Sequence, residues 1–430
     1  MSILSTRQHP LTQPRSLLAL LFCLACGLIA WRGSALPFID EREYLGLAQN
    51  LLAGHGYIDA DSRLLTAYRP PGYPFLLAGL QALTPSVLLP KLLNAFFLLG
   101  IGLGLRHLTQ QLLRGQTTPQ TPPLPSLLSP QQPAVAESAT IWLLLASPLA
   151  IYTSSTLYPQ IFGSLLLVLV LCLLIQPPHW GRVCLAGLLY GYLILTIPSF
   201  MYIAPFCALY LWWRGSQARP DWRSTARTVL FTFAVLAVMA PWTYRNWQTL
   251  HAFVPVSTNG GVNLLYGNSE NTRYNTGGDL DIDAYKKIGF TLSEIDADRY
   301  YRQAAIDWIR QHPTQAVELY VGKWLNHFHF HNTLYTDGQT SLISKLAVAL
   351  TYYPLLLLCL LRLCYRREYP LHAMEKFILV LYVMNACLSA IFFTRLRFRI
   401  PFDLLLIPVA AIAWQITWQR YQNKRSNRTA

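Results

Sequence analysis

The chain has 430 residues, of which 53% are hydrophobic and 13% charged. That is about half the charge of an ordinary soluble domain, near 25%, and it excludes a soluble globular protein in favour of a polytopic membrane protein. The formal charge of +14 does not indicate nucleic acid, because the basic residues punctuate apolar runs and do not gather on one face.

The first apolar run, 16–32, follows Arg7 and Arg15 as a signal-peptide core would. No clean small-residue cleavage site follows and many further apolar runs do, so it reads as a retained first helix. Next comes a polar stretch, residues 38–75, that opens with Asp40-Glu41 and closes on the turn Arg69-Pro70-Pro71-Gly72-Tyr73-Pro74. Three prolines stiffen that turn. The following segment, 71–84, is too short to cross a bilayer and suits a helix lying in the interface. Further runs at 87–105, 138–153, 158–175, 183–197, 199–213, 228–243, 341–361, 376–393 and 401–418 bring the expected crossings to about ten.

Two long segments are irregular. Residues 114–133, rich in Pro, Gln, Thr and Ser, are expected to form a disordered cytoplasmic loop. Residues 244–340 begin turn-rich and pass into amphipathic helical patterns, which predicts a small, mainly helical cap. The expected domains are therefore 1–243, a transmembrane module with the outer loop 33–86; 244–340, the cap; and 341–430, the last transmembrane helices with a basic tail.

With both termini in the cytoplasm, the arginines at 106, 114, 182, 214, 219, 223, 227, 362, 366 and 367 all fall on the cytoplasmic side, as the positive-inside bias requires. The loop 33–86 and the cap then face outward. One short outer loop, TRLRFRIP at 394–401, breaks the bias. Either its guanidinium groups meet a lipid phosphate, whose oxygens suit bidentate donors, or they snorkel toward head groups.

Asp40 and Glu41 are adjacent, so only one of them normally faces a given substrate. The favoured working base is Asp40, with Glu41 bonding locally or to a cation. On the bland reading both are carboxylates placed at a helix N-terminus. The eight cysteines (Cys23, Cys26, Cys172, Cys184, Cys207, Cys359, Cys364 and Cys387) lie within or beside apolar segments. That argues against disulfides, a cysteine metal cluster or a thiol nucleophile. His327, His329 and His331 alternate in HFHFH; one strand face could present all three to a metal, although a membrane-anchoring edge with Phe328 and Phe330 fits better.

Taken in order, DEREY from Asp40 to Tyr44, Ala48, GHGY from Gly54 to Tyr57 and RPPGYP from Arg69 to Pro74 resemble the GT-C glycosyltransferases, in particular bacterial family 39 and aminoarabinose-transferase-like members. Similarity resumes at Tyr244-Arg245-Asn246, Ser257–Gly261, Gly267-Asn268, WIRQHP from Trp308, Lys323 and RFRIP from Arg397, and so touches nearly the whole chain. The resemblance implies an all-α polytopic protein of GT-C type, sited in a bacterial inner membrane with its active site on the periplasmic face. The implied reaction is an inverting, metal-optional transfer from a polyprenyl-phosphate sugar donor to a glycan, lipid or protein acceptor, with membrane lipids as further partners. Asp40 matches the family's catalytic aspartate, beside Glu41. The substrate-binding candidates are Tyr44, Arg69, Tyr73, Arg245, Lys323, Arg397 and Arg399. A divalent cation is optional and its ligands are unknown. SSTLYPQ, 154–160, lacks the acidic residue many relatives carry in the second outer loop, which puts a second carboxylate or a metal shared between loops in doubt.

Two other classes compete with this reading. A transporter or lipid flippase would show charged or broken sites in paired midplane helices and a repeated half, whereas the ionisable residues here cluster at the membrane boundaries. A polysaccharide polymerase or ligase shares the membrane plan and would depend on basic residues of the large outer loop more than on Asp40.

Overall fold

The computed structural model describes residues 13–59, 62–114, 133–215, 222–278, 280–332 and 341–429. The expected disordered loop lies outside the described residues except at its ends, and Arg7 and Arg219 lie outside them too. Among the described residues there are seventeen α-helices and no strand.

The first long polar segment carries α2 (Ile39–Leu52) and α3 (Gly72–Gln81), between the apolar helices α1 (Pro14–Arg32) and α4 (Leu88–Arg114). At 1.5 Å per residue the ten-residue α3 is about 15 Å long, half a bilayer core. Gly72 opens it because nothing larger fits: a Cβ there would lie 2.6 Å from Thr196 Oγ1 and 2.9 Å from the Leu195 carbonyl oxygen. The Tyr192 hydroxyl donates to the Gly72 carbonyl at 2.8 Å, so the proline turn is pressed onto the end of a membrane helix.

Next come α5 (Pro133–Leu145), α6 (Pro148–Ser154), α7 (Gln160–Leu174), α8 (Trp180–Thr196), α9 (Ala204–Gly215) and α10 (Trp222–Leu250). Outside the bilayer-length helices lie α11 (Gly260–Gly267), α12 (Asp283–Gly289), α13 (Glu294–Gln311) and α14 (Pro313–Asn326). The chain ends with α15 (Leu342–Cys364), α16 (Ala373–Ile391) and α17 (Leu396–Thr429).

All ten expected crossings fall on largely helical segments, but among the described residues only six helices are long and apolar enough to span alone, or seven if α5 and α6, bent by 62° at their break, form one span. The difference is one of length. The fifteen residues of α7 reach about 22 Å, short of ~30 Å of hydrocarbon. Helix α10 does the reverse, running past Pro241 to Leu250, so that Tyr244, Arg245 and Asn246 ride on its C-terminal end.

Helix α17 forms the centre of the bundle. Val409, Ala410, Ala411, Ile412 and Ala413 are all fully buried, which is how a helix reads when it has neighbours on every side. Small residues there let α4, α5, α7, α15 and α16 approach closely.

The arginine-rich ends meet on one face. Arg362 is fully buried and gives Glu375 two bonds, at 2.7 and 2.9 Å, while Arg214 donates to the Leu174 carbonyl and Arg420 pairs with Glu368. At the opposite face the segments around 33–38, 53–71, 155–159, 251–259 and 392–397 converge on one another.

Candidate functional site

Helix α2 starts at the mouth of this second face, and its first turn sorts the two carboxylates. Glu41 is fully buried. Its Oε2 accepts from the Phe38 N–H at 3.0 Å, closing the helix N-terminus, and its Oε1 accepts from the Leu157 N–H at 2.9 Å. Glu41 thus stitches the start of α2 to the segment around Leu157, with each carboxylate oxygen bonded to a backbone N–H and the side chain closed to solvent.

Asp40 lies about 100° round the helix and keeps 18% of its side chain exposed. Arg69 Nη2 donates to its Oδ1 at 2.6 Å and Arg397 Nη1 to its Oδ2 at 2.7 Å. Arg69 also donates through Nε to Glu43 Oε2 at 2.6 Å, Glu43 being one helical turn beyond Asp40 on the same face. Arg397 Nη1 reaches the Tyr158 hydroxyl at 3.0 Å, and its guanidinium lies 5.2 Å over the Tyr158 ring. Burial alone would raise the Asp40 carboxyl, but the charges and hydrogen bonds of Arg397 and Arg69 outweigh it and hold it below the usual carboxylate range. The result is a carboxylate with an opposing guanidinium on each oxygen, assembled from residues 40, 69 and 397 of the chain.

The other expected binding residues divide by position. Tyr44 is buried under Arg69, whose guanidinium lies 5.6 Å over its ring, and Tyr73 is sealed beneath Tyr44, edge to face at 5.5 Å. Arg245 braces backbone: Nη1 donates to the Thr66 carbonyl at 2.7 Å and Nη2 to that of Tyr57 at 2.9 Å, with the Trp242 ring 4.9 Å below. Arg399, two residues beyond Arg397, points to another side of α17. It donates to Asp403 Oδ2 at 2.8 Å and to the His327 and His329 carbonyls at 2.6 and 2.9 Å. HFHFH is therefore tethered through its backbone. His329 and His331 have ring centroids 4.4 Å apart, and among the described residues no group of three His, Cys, Asp or Glu side chains is placed to hold a metal.

Lys323 is also committed to backbone. It is 1% exposed, and its Nζ donates to the Gly267 carbonyl at 2.8 Å, the Phe392 carbonyl at 2.9 Å and Asn268 Oδ1 at 3.4 Å. The contact it bridges is so close that a Cβ at Gly267 would collide with the Phe392 carbonyl. Burial pulls its ammonium pKa down to about 7. Lys323→Met therefore destabilises the fold by about 1–3 kcal/mol, the cost of leaving buried carbonyls unpaired, read as a lower thermal midpoint in detergent. The pH dependence has a definite sign. Between about 7 and ~10.4 the unfolded chain holds a proton that the folded one releases, so wild-type stability rises with pH across that window. The variant lacks that rise.

Two contributors escape sequence reasoning. Tyr158 lies in the segment inspected for an acidic residue, and its phenol carried no separate signal. Glu294 opens α13, more than two hundred positions from Thr66 and Ala67; its side chain accepts from Thr66 Oγ1, the Ala67 N–H and Thr258 Oγ1 at 2.6, 2.8 and 2.6 Å.

No protein-family model matches the chain, and no curated protein matches it in sequence. Among solved structures it is similar to the oligosaccharyltransferase AglB from the archaeon Archaeoglobus fulgidus in complex with an inhibitory peptide and a dolichol-phosphate. The identity is 10% and the TM-score 0.54, over 97% of this chain and 51% of that one. A second structure, an Archaeoglobus fulgidus oligosaccharyltransferase with Zn and sulfate, gives 11% identity and a TM-score of 0.53 over 94% and 49%. ArnT from Cupriavidus metallidurans bound to undecaprenyl phosphate follows at 14% identity and a TM-score of 0.42, over 93% and 78%. The chain spans about half the length of the two archaeal structures. At these identities the likeness is one of fold: this is a membrane protein with a GT-C-like fold, shared along nearly its whole length with archaeal oligosaccharyltransferase.

Proposed function

We propose that the chain is an inverting glycosyltransferase of family 39 or aminoarabinose-transferase type. On this reading it moves a sugar from a polyprenyl-phosphate donor to a glycan, lipid or protein acceptor at the outer face of a bacterial inner membrane. The observation that carries the reading is the Asp40 carboxylate with Arg69 and Arg397 on its two oxygens. A base and two anion-binding groups at one spot are what displacement of a phosphate by a hydroxyl requires. The GT-C-like fold, found in an oligosaccharyltransferase solved with a dolichol-phosphate, supports the same class of donor.

The chemistry follows from those groups. The acceptor oxygen attacks the anomeric carbon from the side opposite the phosphate, and the carbon–oxygen bond to phosphate breaks with its electron pair. The hydroxyl proton passes to Asp40. Arg69 and Arg397 take up the phosphate charge as it develops, their forks matching its oxygens. Donor binding also prepares the base, because guanidinium groups drawn toward a phosphate stabilise the Asp40 carboxylate less and its basicity rises. Tyr44 and Tyr73 support this cluster from below. Arg245, Lys323 and Arg399 act on it through the backbone segments they hold.

A divalent cation does not fit the resting arrangement, in which both Asp40 oxygens face guanidinium groups and Glu41 is committed to backbone. No step is assigned to one.

Both termini are assigned to the cytoplasm and the Asp40 face to the periplasm, in keeping with the arginine-rich opposite face. Mass spectrometry of lipid-linked sugars and envelope glycans in cells lacking the chain tests the activity. One lipid-linked sugar accumulates and one glycan decoration disappears; unchanged profiles overturn the reading.

A further inference from the structure

The outer helices reach the Asp40 site along one short path. Glu294, the first residue of α13, accepts from Thr66 Oγ1, from the Ala67 N–H and from Thr258 Oγ1. The Thr258 N–H returns a bond to the Ala67 carbonyl at 3.1 Å. Thr66, Ala67 and Thr258 are all buried, so these bonds are shielded from water and hold the backbone more firmly than exposed ones do. Beyond Ala67 the chain is fixed again, by the Tyr57 hydroxyl donating to the Arg69 and Pro70 carbonyls at 2.9 and 3.2 Å. Between those two fastenings the Arg69 side chain leaves for Asp40 and Glu43. Arg245 holds the Thr66 and Tyr57 carbonyls from α10, but it binds only carbonyls. The Ala67 N–H and the Thr66 hydroxyl depend on Glu294.

We propose that Glu294 is a positioning residue, through which the outer helical layer sets Arg69 against Asp40. This rests on the transferase reading above and adds to it a dependence of the base on the outer layer. A carboxylate suits the task because it accepts several bonds at once in a fixed plane. Its place at the start of a helix sets a carboxylate next to the positive end of the helix dipole, a favourable position for that side-chain type.

The test uses full-length protein in lipid nanodiscs and compares Glu294→Ala with Glu294→Gln, which keeps one acceptor oxygen. Hydrogen exchange followed by mass spectrometry reads the segment containing Thr66 and Ala67. Exchange there quickens roughly tenfold in the alanine variant and stays near wild type in the glutamine variant. In parallel, kcat/KM for transfer from a polyprenyl-phosphate sugar falls roughly tenfold in Glu294→Ala, the scale of a misplaced binding group. Its acidic limb moves to higher pH, because Asp40 has lost part of the Arg69 charge that favours its ionised form.

Unchanged exchange in the alanine variant overturns the proposal. So does faster exchange with an unmoved acidic limb, since a purely structural fastening would give that. A wild-type protein that transfers no sugar from any donor overturns the transferase reading instead, and the exchange experiment, which needs no donor, keeps the two failures apart.

Discussion

Asp40→Asn abolishes sugar transfer, lowering kcat/KM by roughly 10³- to 10⁴-fold, the upper range for a general base, while expression, membrane insertion and thermal midpoint stay close to wild type. The amide keeps the shape of the carboxylate and still offers one oxygen to a guanidinium, so the first turn of α2 has no reason to move; Glu41, not Asp40, closes that helix end. What the variant loses is the ability to take a proton. The assay is initial-rate transfer from purified polyprenyl-phosphate sugar in detergent or nanodiscs. Wild-type turnover by Asp40→Asn would remove this residue from the mechanism.

The same residue fixes the pH dependence. In the free protein Asp40 is held below the usual carboxylate range by Arg397 and Arg69, so kcat/KM, which reports the free enzyme, retains its activity into mildly acidic solution. Once donor phosphate occupies those guanidinium groups, the carboxylate is less stabilised and titrates higher. The acidic limb of kcat, which reports the complex, therefore lies at higher pH than that of kcat/KM. Coincident limbs would mean that the arginines stay on Asp40 throughout the cycle.

Much of this was legible in the sequence, and the division between legible and illegible has physical causes. Hydrophobic runs of 15 to 21 residues give helices, and every expected crossing falls on a largely helical segment. Whether a run of apolar residues crosses alone depends on helix length and on bends such as that between α5 and α6, which composition does not carry. Asp40 and Glu41 stand out in the sequence as paired carboxylates soon after the first apolar run; the sorting of one toward solvent and one inward depends on the Leu157 N–H, which only tertiary structure supplies. The basic candidates show the limit most clearly. Arg69, Arg245, Lys323, Arg397 and Arg399 have indistinguishable signals in sequence, yet Arg69 and Arg397 face Asp40, whereas Arg245, Lys323 and Arg399 each hold backbone carbonyls. A cation's partner is set by contacts between residues distant in the chain, and the same holds for Glu294, whose partners Thr66 and Ala67 lie far from it in sequence.

Arg397 offers the second large effect. On the proposed orientation it stands where the positive-inside bias is broken, and its side chain is 37% exposed, open enough to meet a ligand yet fixed by Asp40, Tyr158 and the ring of Phe398, 5.4 Å from the guanidinium. If it receives the phosphate, Arg397→Ala lowers kcat/KM by roughly 10²- to 10³-fold, the scale of losing one preorganised donor to a developing anion. Most of that loss is carried in the donor's KM, and inhibition by sugar-free polyprenyl phosphate weakens in parallel. Arg397→Lys recovers only part of the activity, because an ammonium supplies the charge without the planar fork that engages two oxygens. The alanine variant also frees one Asp40 oxygen from its counter-charge, so the acidic limb of kcat/KM moves to higher pH. A residue that merely snorkels toward head groups predicts a different pattern, with donor KM and carrier inhibition unchanged and only membrane insertion or stability altered. Titrating donor and free carrier against both variants decides between the two.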